Sequence, residues 1–351
     1  MRALRKTARS PGAALVEIPV PTPGEDEVLV RVHAASICGT DLHIYDWNEW
    51  AQGRIPAVPM TFGHEVAGHV EAVGSDVRHV QPGAFVAAET HIACGQCSTC
   101  RTGREHICER LKILGVDTDG AFAELVVLPA HNAWEVGAGI DPDVASIMEP
   151  FGNGVHAAFG TGGGEDIATN PVVVIGCGPI GLFAVGITRS LGAWKVIAIE
   201  PNAYRREMAS AMGADLLIDP AAEDPVAAVH AATNGQGAEV VLEMSGNARA
   251  IDQGTRMLAR GGRMSLLGLP EGAVSLDLND QVIFKEARLQ GITGREMFRT
   301  WQQTTTLLST GRVDVSPVIT HRFPLEHFEE AFATTASGRS GKVILSPGLD
   351  G

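Results

Sequence analysis

The sequence lacks a basic block that could neutralise a nucleic-acid backbone. Its 27 lysines and arginines are outnumbered by 41 aspartates and glutamates, so the formal net charge is −14. The two signs are interspersed along the chain, and no segment carries the positive field that phosphates require. This charge pattern argues against a nucleic-acid partner.

A long uninterrupted apolar stretch is also missing. The longest apolar run, residues 172–187, is too short for a membrane span and is broken by Gly176, Gly178, Pro179 and Gly181. The basic first residues are followed by Thr-Ala-Arg-Ser-Pro-Gly at 7–12, where a secretion signal would need an apolar segment. We therefore expect a cytoplasmic protein with no membrane partner.

Cysteine is too scarce and too unevenly spaced for a disulfide scaffold. Six cysteines occur in 351 residues, and four of them lie between residues 94 and 108. In a reducing compartment this crowding favours a metal ion over disulfides.

What is present is the composition of a globular protein, with 45% hydrophobic and 19% charged residues. A chain of 351 residues exceeds the usual single domain, so we expect two domains. Up to about residue 130, short β-type runs such as 27–32 and 65–73 alternate with proline and glycine turns. This pattern predicts an antiparallel, barrel-like β region.

Beyond a glycine-rich linker at 160–170, strands alternate with helices. Residues 172–175 are all β-branched, as in a strand buried on both faces, and residues 179–191 have helical spacing of apolar positions. Further β-type segments occur at 196–199, 216–218, 239–242 and 264–267. The rhythm predicts a doubly wound parallel sheet. Two helices, 296–308 and 325–336, and a strand at 342–345 are expected to return to the first domain.

Residues 176–181 fit the G-x-G-x-x-G fingerprint of dinucleotide-binding turns, between a predicted strand and a predicted helix. Glycines there let the backbone approach a pyrophosphate at the positive end of the helix. Such turns also serve packing alone, so the motif needs support. Glu200 supplies it, because it ends the next strand nineteen residues after Gly181, where a carboxylate would bind the adenosine ribose.

The same carboxylate favours NAD over NADP, because its charge would repel a 2′-phosphate. Arg205 and Arg206 follow closely and could accept that phosphate, or could be solvated surface residues.

Four cysteines, Cys94, Cys97, Cys100 and Cys108, have spacing suited to one tetrahedral Zn²⁺. Four thiolates leave no open position for chemistry, so we interpret the cluster as a structural zinc site. The alternative interpretations are disulfides, inert thiols and an iron–sulfur cluster. The usual bacterial iron–sulfur run has three residues before a fourth cysteine and then proline, whereas here seven intervene and Glu109 follows.

A second, dispersed set of metal ligands comprises Cys38, His64, Glu65 and Glu149. A catalytic zinc needs about three protein ligands and an exchangeable position, and this mixture of side chains can supply them. Taken singly, an isolated cysteine is usually a core residue and a His-Glu pair is usually on the surface.

Residues 38–41 with His43, the triplet 63–65, the four cysteines and the later fingerprint resemble the zinc-containing medium-chain alcohol dehydrogenases, in order and across nearly the whole chain. The resemblance implies an α/β protein with a GroES-like β-rich catalytic domain plus a Rossmann doubly wound parallel-sheet domain. We expect the catalytic domain at 1–155 and 296–351 and the NAD-binding domain at 156–295. NAD and two zinc ions per chain, one catalytic and one structural, are the implied cofactors.

The family pattern also implies roles for single residues. Cys38, His64 and Glu65 would hold the catalytic zinc. Glu149, where other alcohol dehydrogenases commonly have cysteine, would ligate zinc, alternate with Glu65 or carry a proton. Thr40 and His43 would form a proton relay, unless they are a helix-capping threonine and a surface histidine. Contacts to NAD are expected from Gly176, Gly178, Ile180, Gly181, Glu200, Arg205, Leu267, Gly268, Leu269, Ile292 and Thr293.

The strings 43–50, 150–153, 294–298 and 319–323 resemble the threonine-oxidising members of this family. This resemblance implies zinc-assisted hydride transfer from L-threonine, giving L-2-amino-3-oxobutanoate, in a homotetramer coupled to 2-amino-3-ketobutyrate CoA ligase. His91 and Arg295 are candidates for the charged groups of the substrate. The alternatives are a zinc-dependent polyol or butanediol dehydrogenase and a non-catalytic zinc- or nucleotide-binding relative.

Overall fold

The computed structural model describes residues 1–137 and 139–348, and the chain divides into two compact units. The first contains Met1–Glu149, Glu296–Thr305 and the chain from Ile319 onward, and the second contains Pro150–Arg295 and Thr306–Val318. Residues 150–155 and 306–318, expected in the first domain, therefore belong to the second unit. Ala138 and residues 349–351 of the expected first domain lie outside the described residues.

The strands are β1 (Arg2–Lys6), β2 (Ala14–Glu17), β3 (Glu27–Ser36), β4 (Met60–Thr61), β5 (Glu65–Val73), β6 (Phe85–Ala88), β7 (His91–Ile92), β8 (Lys112–Ile113), β9 (Leu125–Pro129), β10 (Ala133–Glu135), β11 (Pro171–Ile175), β12 (Lys195–Ile199), β13 (Leu216–Ile218), β14 (Ala238–Glu243), β15 (Leu258–Leu266), β16 (Arg288–Gly291), β17 (Ile319–Pro324) and β18 (Lys342–Ser346). Eight of the strands, namely β3, β5, β11 to β15 and β18, overlap β-type segments predicted from the sequence.

The α-helices are short to medium in length. They are α1 (Gly39–Asp46), α2 (Glu49–Arg54), α3 (Ser98–Arg101), α4 (Pro142–Ser146), α5 (Met148–Phe159), α6 (Pro179–Ser190), α7 (Ala203–Ala211), α8 (Pro225–Ala232), α9 (Ala248–Met257), α10 (Arg299–Ser309) and α11 (Phe328–Ala336). Within residues 1–137 and 139–348, none of the helices has both the length and the apolar character needed to cross a bilayer.

The first unit is built on a seven-stranded sheet in the order β10-β6-β5-β3-β18-β17, with β9 also paired to β3. Most of its pairs are antiparallel, and only β17 and β18 run parallel. The register places Ser36 opposite Glu65 on β5 and opposite Ile344 on β18. The residues that follow β3 are thereby held next to the start of β5.

Aromatic packing in the first core fixes the approach to His64. The rings of Phe62, Phe122 and Phe332 are buried, with centroids 5.3 to 6.1 Å apart. Gly63 has a φ of 91°, and a Cβ there would lie 2.6 Å from the Phe122 ring. Only glycine fits this position, so the core itself dictates where the chain turns before His64.

The second unit contains a six-stranded sheet in the order β13-β12-β11-β14-β15-β16, and every pair is parallel. Counted within the unit this order is 3-2-1-4-5-6, the arrangement of dinucleotide-binding folds. Residues 172–175 of β11 are all buried, as the β-branched run predicts. The prediction of a doubly wound parallel sheet is confirmed.

Helix α5 was not among the expected elements. It contains the glycine-containing segment 151–156 and leads into turns at 160–167, within the linker that the sequence indicates. A Cβ at Gly154 would lie 3.2 Å from Ile187 Cδ1, so this glycine permits close packing of α5 on α6. Tertiary packing therefore outweighs the low helix propensity of glycine.

Candidate active site

The three glycines of the fingerprint turn serve different purposes. Gly176, directly after β11, has a φ of 86°, and a Cβ on Gly181 would lie 1.9 Å from the Gly176 carbonyl oxygen. A Cβ on Gly178, in contrast, would meet nothing within 4 Å. Gly178 is the N-cap of α6 and supplies no side-chain acceptor to the first N–H groups of the helix. This space and these donors fit a pyrophosphate.

Glu200 lies at the carboxyl end of β12 beside that turn. Its carboxylate accepts hydrogen bonds from the backbone N–H groups of Cys177, at 2.7 Å, and Asn202, at 2.9 Å. The nearby Arg206 donates to the Glu200 carbonyl oxygen at 2.7 Å and pairs with Asp219 at 3.0 Å. The charge of Arg206 is thus already partnered, which weakens its suitability for a 2′-phosphate. The buried Nε of Arg205 has no hydrogen-bond partner among the described residues.

The other expected NAD contacts lie at the same end of the sheet, where the parallel strands have their carboxyl ends. Because all six strands are parallel, the residues after β15 and β16 lie on the side of the sheet where the fingerprint follows β11. Ile292 is buried and Leu269 is 88% exposed. Ile180 is half-buried in the first turn of α6, and Thr293 is exposed. A Cβ on Gly268 would lie 2.0 Å from Gly246 N, so Gly268 packs directly against the backbone of Gly246.

Sequence reasoning missed a buried carboxylate at this end of the sheet. Glu243 ends β14, and its Oε1 accepts hydrogen bonds from Ser245 N at 2.9 Å and Gly246 N at 3.1 Å. Burial raises the pKa of Glu243. A Cβ on Gly176 would lie 2.9 Å from Ser245 Cβ, so Glu243 holds a turn against the fingerprint. A lone glutamate after a strand forms no recognisable pattern, and only its position after a β-type segment hints at this role.

The dispersed residues Cys38, His64 and Glu65 come together in the first unit. Their potential ligand atoms all lie within 4.8 Å of one another. Cys38 follows β3 and caps α1, while Glu65 begins β5, the strand that pairs with β3. His64 and Glu65 are buried. A thiol, an imidazole and a carboxylate at this spacing fit a zinc ion that keeps one position for substrate.

Asp41 places a carboxylate next to both Cys38 and His64. Its Oδ2 accepts a hydrogen bond from Cys38 N at 2.9 Å, and its Oδ1 lies 3.5 Å from His64 Nδ1. Burial acts to lower the pKa of His64, but the neighbouring Asp41 and Cys38 outweigh it and raise that pKa. A carboxylate beside Nδ1 leaves Nε2 for an ion, as is usual for metal-binding histidines. The pocket is therefore one that favours a cation.

The other proposed catalytic residues belong to the same unit as this group. Glu149 is buried in the first turn of α5 and accepts a hydrogen bond from Thr90 Oγ1 at 3.3 Å. The carboxylate grouped with Cys38 and His64 is that of Glu65. Thr40 Oγ1 is 3.9 Å from Cys38 Sγ. His43 is exposed, follows Thr40 by three residues on α1, and its Nδ1 is 2.7 Å from Asn48 Nδ2. Spacing of three places Thr40 and His43 on one helix face.

The two candidates for binding the charged groups of the substrate are both buried. The backbone N–H of His91 donates to Glu89 Oε1 at 2.8 Å. Arg295 belongs to the second unit and donates to Asn153 Oδ1 at 2.9 Å.

Four sulfur atoms cluster in the segment 94–108. The Cys97 sulfur lies 3.4 Å from that of Cys100 and 3.8 Å from that of Cys108, and Cys94 and Cys100 are 4.0 Å apart. Sulfurs around a tetrahedral Zn²⁺ with bonds of about 2.3 Å would be about 3.8 Å apart, so the spacing fits zinc. The Thr99 hydroxyl and the Cys100 N–H lower the pKa of Cys97 to about 5, which favours the thiolate that zinc binds.

Comparisons with known proteins agree with both halves of this description. Residues 24–138 match the family model "Alcohol dehydrogenase GroES-like domain", and residues 179–310 match "Zinc-binding dehydrogenase". The L-threonine 3-dehydrogenase of Bacillus subtilis (strain 168) is 50% identical over 347 residues, covering 99% of each chain.

Two solved structures share the fold with cofactors bound. A zinc-binding dehydrogenase from Sinorhizobium meliloti 1021 bound to NADP has a TM-score of 0.90 and 30% identity, covering 99% of each chain. An alcohol dehydrogenase from E. coli CFT073 complexed with NADH has a TM-score of 0.88 and 27% identity, again over 99% of each chain. The expected combination of a GroES-like unit and a Rossmann unit is confirmed. With two family models covering most of its length and a relative identical at half its positions, this chain is an enzyme of the zinc-containing medium-chain alcohol dehydrogenase family.

Proposed function

We propose that this enzyme oxidises L-threonine at its 3-hydroxyl to L-2-amino-3-oxobutanoate, using NAD and zinc-assisted hydride transfer. One observation carries the proposal: the Cys38, His64 and Glu65 group occurs in a chain that is half identical to an L-threonine 3-dehydrogenase over nearly its full length. The substrate loses a hydride to NAD and a proton to the protein, so the products are the ketone, NADH and one proton.

Each of the two metal-ligand groups suits a different task. Cys38, His64 and Glu65 would hold the catalytic zinc, and the four cysteines would hold the structural one. When bound at the first site, zinc supplies Lewis acidity, which makes the substrate hydroxyl easier to deprotonate. Thr40, beside the Cys38 sulfur, would accept that proton and pass it toward the exposed His43, which releases it to solvent.

NAD is the proposed oxidant. The carboxylate of Glu200 is oriented by two backbone N–H groups, and its charge disfavours a 2′-phosphate. The partnered guanidinium of Arg206 supports the same choice. A cytoplasmic location, a homotetramer and metabolic coupling to 2-amino-3-ketobutyrate CoA ligase stay predictions that derive from the resemblance.

A substrate comparison tests the proposal. NADH formation would be measured with L-threonine, sorbitol and 2,3-butanediol, because the same machinery could oxidise any secondary alcohol that fits. We expect kcat/KM for L-threonine to exceed both others by at least about tenfold, or about 1.4 kcal/mol in transition-state binding. A Cys38→Ser variant serves as the inactive control. A higher kcat/KM for either diol would identify the enzyme as a polyol or butanediol dehydrogenase instead.

A further inference from the structure

Two residues that no motif singles out contact the ligand group from the neighbouring strands. Lys342 begins β18 and Ser36 ends β3, and these strands pair with each other. The Lys342 ammonium and the Ser36 hydroxyl both donate hydrogen bonds to one oxygen of Glu65, Oε2. All three side chains are buried, with exposures of 0 to 2%.

We propose that Lys342 and Ser36 are positioning residues for the catalytic metal: they hold Glu65 Oε2 away from the ion, so that Glu65 binds it through Oε1 alone. The inference rests on the proposed function only in assigning the Cys38, His64 and Glu65 group to a metal.

The two oxygens of Glu65 have opposite surroundings. Oε2 accepts two hydrogen bonds, one of them from a charged donor, whereas the buried Oε1 accepts none from the described residues. A carboxylate oxygen buried without any partner is costly, because its lone pairs have lost water and gained nothing. An ion at Oε1 would satisfy it. Since Oε2 is already occupied by two donors, a bidentate arrangement would require breaking both bonds.

Lys342 also connects Glu65 to the backbone next to Cys38. Its Nζ donates to the Ile37 carbonyl oxygen at 3.0 Å, and the Ile37 N–H donates to the Val343 carbonyl oxygen at 2.9 Å. Both polar backbone groups of the residue preceding Cys38 are therefore held by β18. One ammonium thus sets the distance between two ligands that lie 27 positions apart in the sequence.

The charge of Lys342 matters as well as its hydrogen bonds. With a metal bound, the Cys38 thiolate would join the carboxylates of Glu65 and Asp41, so negative charge would concentrate at this site. An ammonium beside Glu65 offsets part of it without occupying the place of the ion. A neutral side chain of similar length would remove one of the two donors that hold Glu65 Oε2 and would leave the charge of Glu65 unbalanced.

Metal retention tests the proposal without any substrate. Wild type, Lys342→Met, Lys342→Arg and Ser36→Ala would be dialysed against graded chelator concentrations, and zinc per chain would be measured. We expect Lys342→Met to release one zinc at chelator concentrations about 10- to 100-fold lower than wild type, the usual effect of losing a group that orients a ligand. Lys342→Arg should retain most of the affinity, and Ser36→Ala should show a smaller loss. The four-cysteine zinc is the internal reference in every sample.

Three controls make the result decisive. Lys285→Met removes a lysine of the second unit that also donates to backbone carbonyl oxygens, and it should leave zinc retention unchanged. In a Glu65→Gln background, Lys342→Met should cause no further loss, because Lys342 acts through Glu65. Equal losses in both backgrounds, or wild-type retention by Lys342→Met, would overturn the proposal. If Lys342→Met does not fold, wild-type retention by Ser36→Ala overturns it.

Oxidation of L-threonine would be assayed separately on the same samples. Failure of that assay would refute the proposed function and leave the metal result standing.

Discussion

At the scale of single residues, the glycines of the fingerprint turn can be separated by experiment. Gly178→Ser adds a side chain where a Cβ meets nothing within 4 Å, at a capping position that serine tolerates well. We expect the free energy of unfolding to change by less than about 0.5 kcal/mol. The Kd for NAD should rise about 10- to 100-fold, because the hydroxymethyl group intrudes on the pyrophosphate. Calorimetry and NAD titration would check both values.

Gly181→Ala is the matched control for that variant. Its Cβ would lie 1.9 Å from the Gly176 carbonyl oxygen, so the backbone would have to shift. A loss of about 1–3 kcal/mol in unfolding free energy is expected. Unchanged NAD binding by Gly178→Ser would show that the cofactor does not approach the turn there.

The residues that sequence analysis identified are those whose chemistry depends on spacing along the chain. The four cysteines and the fingerprint glycines are close in sequence, so their pattern is visible without a structure. Ser36, Lys342 and Glu243 were missed because their positions depend on strand register. Lys342 meets Glu65 only because Ile344 pairs with Ser36 and Ser36 pairs with Glu65.

At the scale of elements, we expect the cysteine-containing segment to depend on a bound zinc ion. Between residues 94 and 108 the regular structure is limited to the four-residue α3 and one 3₁₀ turn, Glu105–Ile107. Removing the structural zinc with a strong chelator should therefore open this segment. We expect trypsin to cleave at the exposed Arg101 and Arg104 on the order of tenfold faster, as mass spectrometry of timed digests would show.

Two cysteine variants sharpen that experiment. Cys97→Ser should reproduce the faster cleavage without chelator, whereas Cys177→Ser, which alters a buried thiol outside both clusters, should not. Equal cleavage rates with and without the zinc would mean that the segment is held by packing alone.

Elements were predictable where hydrophobic periodicity dominates. Residues 65–73 were expected as a strand and form β5 with the same bounds, and the five segments expected in the parallel sheet each overlap a strand, β11 to β15. The helix at 148–159 was missed because Gly152 and Gly154 resemble a loop. Strand β16 was also missed, since its burial is partial and its sequence, residues 288–291, is not β-branched.

At the scale of the whole molecule, the predicted homotetramer can be measured directly. Leu278, Ile283 and Phe284 have exposed fractions of 57 to 65%, and they shortly precede β16, the edge strand of the six-stranded sheet. Large exposed apolar side chains beside a sheet edge suit burial against another copy of the chain. Light scattering should give four times the chain mass of 36.9 kDa. Phe284→Glu should reduce it, and Val20→Glu, at another exposed apolar position, should not.

A mass of one chain for the wild type would refute the homotetramer. A four-chain mass for Phe284→Glu would show that the patch is not part of the assembly.

The pairing of β18 with β3 has a consequence for biosynthesis. All four cysteines of the structural site have been translated by residue 108, so a nascent chain can capture that ion early. The sheet that surrounds Cys38 and Glu65 is incomplete until residues 342–346 have left the ribosome, after the entire second unit has been made. Such distant pairing forms slowly. We therefore expect the proposed structural zinc to bind before the proposed catalytic zinc, whose ligands are brought together only when β18 pairs with β3.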